Sequence, residues 1–126
     1  MKKLLVLLFS ILISFNSYGE WEFLDENIDS VSFYIDKSKI KKHNGYLYFW
    51  VMQDNLIPTK TGTLSNKVYY QGDCDINRIK YLSYILYKQP MGEGQGNTLQ
   101  GDTEWTYPNP NGMLAYILDY MCDYAK

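Results

Sequence analysis

The sequence holds one histidine, His43, one arginine, Arg78, and two cysteines, Cys74 and Cys122, in 126 residues. A single histidine beside an Asn44-Gly45 turn gives nothing from which to build a catalytic triad or a histidine metal site, so His43 reads as an exposed turn residue. Two cysteines are too few for a four-thiolate zinc site. Basic residues show no excess: twelve Lys and Arg stand against fourteen Asp and Glu, so a nucleic-acid partner is not expected. Apart from residues 4–15 there is no long apolar run, and that one falls short of the ~20 residues a bilayer span takes. A phosphate loop is missing too. The stretch PMGEGQGNTLQG, residues 90–101, carries four glycines, but no helical stripe and no Gly-Lys-Ser/Thr ending follows it. These glycines are expected to turn the chain between a strand over residues 81–87 and another near residues 98–105.

What the chain does have begins at its N-terminus. Lys2 and Lys3 precede the apolar run, and the small residues Ser17 and Gly19 follow it, which is the three-part layout of a secretory signal peptide. Residues 1–19 are therefore expected to be removed on export, leaving residues 20–126 as one domain. An uncleaved N-terminal anchor is the alternative. No cysteine follows the apolar run to carry a bacterial lipid anchor. Without Lys2 and Lys3, ten basic residues face fourteen acidic ones, so the domain is mildly acidic. In an oxidising compartment an even cysteine count favours a Cys74–Cys122 disulfide. Closing so long a loop contributes up to ~4 kcal/mol on the chain-entropy account. Two free, buried thiols are the alternative.

Aromatic residues make up 17% of the chain, thirteen of them tyrosines, and their alternation with polar residues is a strand pattern. WEFL, residues 21–24, opens the series. SVSFYID places Val31, Phe33 and Ile35 on one face and Ser32, Tyr34 and Asp36 on the other. The lysine-rich segment DKSKIKKH, residues 36–43, reads as a solvated turn, and Asn44-Gly45 as a tight one. Residues 46–52 are apolar or aromatic on both faces, which suits a central strand with Trp50 as its large core anchor. Residues 68–75 form a strand leading to Cys74, and residues 78–87 another, although a helix there is the alternative. Near the C-terminus, Asn109-Pro110 resembles a helix cap and first-turn proline, with Gly112 shifting the start later. Leu114, Ile117, Leu118, Met121 and Cys122 then recur as one apolar helical stripe.

Carboxylates are the remaining source of chemistry. Asp73 and Asp75 flank Cys74, and Asp102 and Glu104 form a D-x-E pair; two residues apart on a strand they would share a face and could hold a cation or act as acid and base. Each run supplies few oxygen ligands, and polar sheet faces carry such pairs routinely, so neither a metal nor a catalytic centre is assigned. Arg78 is expected either to contact the nearby carboxylates or to serve as a ligand-binding residue.

The order of these pieces resembles the bacterial surface-adhesin protein E family. It runs from Trp21 through FYID, KSKIKKHNG, the aromatic strand with Trp50, Ser65, the GDC cysteine, NRIKYLSYILY and WTYPNP to a terminal helix with the second cysteine. The resemblance implies an α+β fold: an antiparallel sheet of about six strands, one C-terminal α-helix packed on a face, and the Cys74–Cys122 tie. It also implies a non-enzymatic protein without cofactor or metal, exported to the periplasm or cell surface of a Gram-negative bacterium, which binds host extracellular-matrix or plasma proteins. A periplasmic accessory protein with an envelope partner, and a small hydrolase or metal protein built on the acidic pairs, are the competing readings. Tyrosines are enriched where proteins meet. The candidate contact residues are Tyr34, Lys41, Lys42, Tyr46, Tyr48 and Tyr84.

Overall fold

A computed structural model describes residues 20–126; the expected signal peptide, residues 1–19, lies outside the described residues. The alternating segments form seven strands, β1 (Glu22–Glu26), β2 (Val31–Ile35), β3 (Lys41–His43), β4 (Tyr46–Asn55), β5 (Ser65–Asp73), β6 (Arg78–Tyr87) and β7 (Asn97–Gln100). One helix, α1 (Met113–Tyr124), follows them. All strands join a single antiparallel sheet in the order β1-β2-β4-β5-β6-β7. The short β3 pairs with the first residues of β4, and β2 pairs with the last ones, so the two share one edge of β4. This is the expected α+β architecture with one three-residue strand added.

Period two sorts the side chains. Phe33, Ile35, Leu47, Phe49, Val51, Val68, Tyr70 and Ile79 point to one face and form a continuous core with Ile117, Leu118 and Met121 of α1. Gly72 lets the helix approach: a Cβ there would lie 2.8 Å from Leu118 Cδ1. Cys74, in the turn after β5, is bonded to Cys122 near the end of α1, with an S–S distance of 2.09 Å and Cα atoms 5.8 Å apart. The bond ties the helix to the sheet, and the free-thiol alternative falls. Tyr70 is buried in this core, and burial, followed by the neighbouring Tyr81 and Tyr84, raises its phenol well above the ordinary value.

The turns follow their sequences. Asn44 and Gly45 take φ of 52° and 82°, the left-handed pair that a two-residue hairpin requires between β3 and β4. The glycine-rich stretch connects β6 to β7 antiparallel, as expected. Its start folds back toward β4 and β5. The buried Ser65 hydroxyl donates to the Gln89 carbonyl and accepts from Gly92 N at 2.8 Å, while Met91 N donates to Asp54 Oδ1 at 2.7 Å.

Four expectations need correction. Trp50 is half-buried and faces away from α1; the core anchor of β4 is its neighbour Phe49, which is fully buried. The lysine-rich segment is not all turn, since Lys41, Lys42 and His43 form β3. Asp102 and Glu104 do not lie on a strand: β7 ends at Gln100, and Asp102 Oδ1 accepts from Glu104 N within a local turn. Gly112, not Asn109, stands at the helix N-cap, without a side-chain bond; Asn109 Oδ1 instead accepts from Asn111 N and closes the turn before it.

Candidate functional site

The face of the sheet turned away from α1 is built from the other half of the same alternation. β4 sends Tyr46, Tyr48, Trp50 and Met52 to it, and β5 sends Lys67, Tyr69 and Gln71. Met52 is fully buried beneath the Pro90–Gly92 turn. The aromatics contact one another across strands. Trp50 stacks on Tyr69 with ring centroids 4.7 Å apart, Tyr48 and Tyr69 are 6.3 Å apart, and Phe23 of β1 meets Tyr34 of β2 edge-on at 5.6 Å.

Two further tryptophans stand at opposite ends of this surface. Trp105, beyond β7, lies 5.4 Å from Tyr46 and is capped by the Arg78 guanidinium at 4.0 Å and Lys80 Nζ at 4.6 Å. Trp21, just before β1, lies 5.6 Å from Lys67 Nζ, which is also 5.2 Å from the Tyr87 ring. A cleft of about 240 Å³ opens there, lined by Trp21, Asp36, Lys39, Trp50, Lys67 and Ile85.

Two phenols of this surface, Tyr34 and Tyr69, are held above their ordinary range and so stay neutral near pH 7. Burial, then Asp54 and Glu26, raises Tyr34, and burial with Tyr48 raises Tyr69. These rings offer apolar faces and hydroxyls rather than charge; the cations come from Lys39, Lys41, Lys67, Arg78 and Lys80. Asp36 is buried below the cleft, where its Oδ1 accepts from the Ser38 amide and hydroxyl. Asp73 is buried and bonded to Arg78 Nε at 2.9 Å, so Arg78 serves both that carboxylate and the Trp105 ring.

Of the six candidate contact residues, Tyr34, Tyr46 and Tyr48 lie on this surface, and Lys41 is in register with Tyr48 on the same side. Lys42 is in register with Leu47 on the helix side, beside the disulfide, and Tyr84 packs against the core and stacks on Tyr81. Trp21, Trp50, Lys67, Tyr69 and Trp105 were not anticipated as partners in one surface. The signal for Trp50 and Tyr69 is the period itself: each sits one residue from a core position. His43 is exposed, beside the Asn44 side-chain amide at 3.1 Å. Asp73 and Asp75 do not act as a pair, because Asp73 is buried at the end of β5 and Asp75 is exposed in the turn. Among the described residues no three His, Cys, Asp or Glu side chains converge as a metal site, and no helix is long and apolar enough to cross a membrane.

The fold has known counterparts. Crystal form II of Haemophilus influenzae protein E superposes with a TM-score of 0.66 at 17% identity, covering 85% of this chain and 91% of that one. The selenomethionine form of Haemophilus influenzae protein E gives 0.59 at 14% identity, over 80% and 85% of the two chains. Protein E from non-typeable Haemophilus influenzae gives 0.53 at 16% identity, over 84% and 78%. At these identities the likeness is one of fold. No curated protein matches the chain significantly by sequence. The sequence pattern of one family, described as surface-adhesin protein E, matches residues 21–123, nearly the whole described chain. The chain belongs to the surface-adhesin protein E family.

Proposed function

We propose that this protein is an exported, non-enzymatic binding domain of a Gram-negative envelope that holds a protein partner against the open face of its sheet. Residues 1–19 act as the signal peptide in this reading, and residues 20–126 are the binding domain. The family name points to the cell surface and to adhesion, and the partner class is a host extracellular-matrix or plasma protein. One observation carries the reading: tyrosines and tryptophans that would fill a core elsewhere are gathered on the uncovered face, with cations stacked on their rings. Aromatic residues and arginine are the side chains that dominate protein interfaces. Tyr34, Lys41, Tyr46 and Tyr48 are the proposed contact residues, with Trp105 and Lys80 extending the surface. Lys42 and Tyr84, on the other side, are the built-in controls.

The test has two arms. Protease treatment of intact cells that carry a C-terminally tagged chain should digest the tag while a periplasmic marker survives. Purified protein should then bind immobilised matrix or plasma proteins, with Tyr48→Ala and Trp105→Ala each weakening the interaction about tenfold or more and Lys42→Ala leaving it unchanged. A protected tag would move the protein to the periplasm and make its partner an envelope protein. Equal effects of Tyr48→Ala and Lys42→Ala would overturn the assignment of the face.

A further inference from the structure

The Trp21 end of the open face differs in kind from the Trp105 end. At Trp105 the cations already cap the ring, and the surface is filled by protein. At Trp21 the indole and Trp50 both line a cleft, and the same cleft is lined by groups of opposite charge. Lys67 Nζ sits between the Trp21 and Tyr87 rings, held by the apolar surroundings of its stem. Lys39 stands at the rim, where it also reaches Glu20 at 3.7 Å and Asp36 Oδ2 at 3.9 Å. Asp36 is fixed from below: Ser38 satisfies Oδ1. The cleft therefore has flat apolar walls, a positioned cation and a positioned acceptor.

We propose that this cleft is a site for one carboxylated sugar ring, such as a uronate or a sialate at the end or within the chain of a glycan. The apolar face of a pyranose ring is a flat patch of C–H groups and suits an indole wall, whereas its hydroxyls need hydrogen-bond partners at the edges. Asp36 supplies an acceptor for hydroxyls, and Lys67 a donor and counter-charge for the carboxylate. The volume of about 240 Å³ suits a ring rather than a long chain. The architecture disfavours a peptide. Extended peptides dock on free strand edges and helical ones in apolar grooves. Here β4, which carries Trp50, is paired on both sides with β2 and β5, so its backbone is closed to an added strand, and the free edge of β1 lies at the side of the cleft rather than in it.

This inference does not depend on the protein-contact reading: its test turns on Trp21 and Lys67, which are not among the proposed contact residues, and its control, Trp105, stands beside Tyr46 at the other end of the face. Trp50 and Tyr46 are four residues apart on β4, about 13 Å at the rise of a strand. Calorimetric titration of the exported protein uses a hyaluronate tetrasaccharide and 3′-sialyllactose as acidic probes, with chitotetraose and lactose as their neutral counterparts. Saturable binding of an acidic probe is expected, at least about tenfold tighter than its neutral counterpart, and which probe binds identifies the sugar class. Trp21→Ala and Lys67→Met should each weaken it about tenfold, while Trp105→Ala leaves it unchanged. Trp21 lies outside every strand, and circular dichroism of both variants checks that the fold is kept. Absence of saturation with both acidic probes overturns the proposal. So does equal affinity for the neutral ones, or binding that survives both Trp21→Ala and Lys67→Met.

Discussion

Asp73 ends β5 with its carboxylate buried, and burial by itself makes such a group harder to ionise. The Arg78 guanidinium at 2.9 Å and the backbone amides of Asp75 and Ile76 outweigh that effect and hold the carboxyl below its ordinary range. A folded value below the unfolded one means that the charge stabilises the fold above pH ~4, and that this contribution is lost as pH falls through the folded value. Asp73→Asn should therefore cost about 1–3 kcal/mol at neutral pH, the scale of a charge-assisted bond lost from a buried site. Its unfolding free energy should begin to approach that of the unchanged protein below pH ~4 and meet it only once the pH has fallen past the lowered folded value. Urea titrations across a series of pH values read both; a gap that stays constant into acid would mean that packing rather than charge is lost. The sequence showed that Arg78 follows a carboxylate-rich turn. It did not separate Asp73 from Asp75, because the difference lies in which of them the turn buries.

At the scale of elements, legibility follows burial. β2, β4, β5, β6 and α1 were readable because each carries apolar residues at its own period, and β6 runs over the residues 78–87 expected of it. β3 and β7 are exposed along their length, so no apolar period marks them; β3 was missed, and β7 was expected only from the glycine turn before it. They form because the Asn44-Gly45 turn and the glycine-rich connection bring their backbones beside β4 and β6. The disulfide was legible from compartment and count, and its place in the fold gives it a specific task. Cys122 lies at the end of the helical stripe, and Cys74 lies 48 residues earlier in the turn after β5. The bond restrains the unfolded chain over that separation and fastens the last turn of α1. Replacing both cysteines with serine should lower stability by up to about 4 kcal/mol. The core residues Ile117, Leu118 and Met121 are buried against the sheet, so α1 should stay docked in the folded fraction without the bond. Thermal unfolding with and without a reductant measures the cost, and amide exchange across residues 113–124 reports the docking. Loss of helix protection while the sheet stays protected would show that the disulfide, rather than the apolar stripe, holds α1 in place.

At the scale of the whole molecule, the sheet divides its labour between two faces, and β4 shows the division within two adjacent residues. Phe49 is fully buried under α1 and packs against Tyr70, whereas Trp50 is half-buried on the open face and stacks on Tyr69. The sequence could not assign them, because residues 46–52 of β4 are aromatic or apolar on both faces and no polar residue among them marks the outer one; size then pointed to Trp50. The assignment depends on where α1 lands, a long-range fact. Two substitutions one residue apart should therefore have opposite profiles. Phe49→Ala opens a cavity in the core and should cost ~3–5 kcal/mol. Trp50→Ala removes one cross-strand stack from a surface that solvent already reaches, and should cost about 1–2 kcal/mol. Binding should rank them the other way. At temperatures where both variants are folded, Trp50→Ala should lose affinity for the ligand of the Trp21 cleft, which Trp50 lines, while Phe49→Ala keeps it. Denaturation curves and a binding titration on the same two preparations make the comparison. Equal stability losses would mean that the open face is itself a second core, with its aromatics spent on holding the sheet together rather than on contact with a partner.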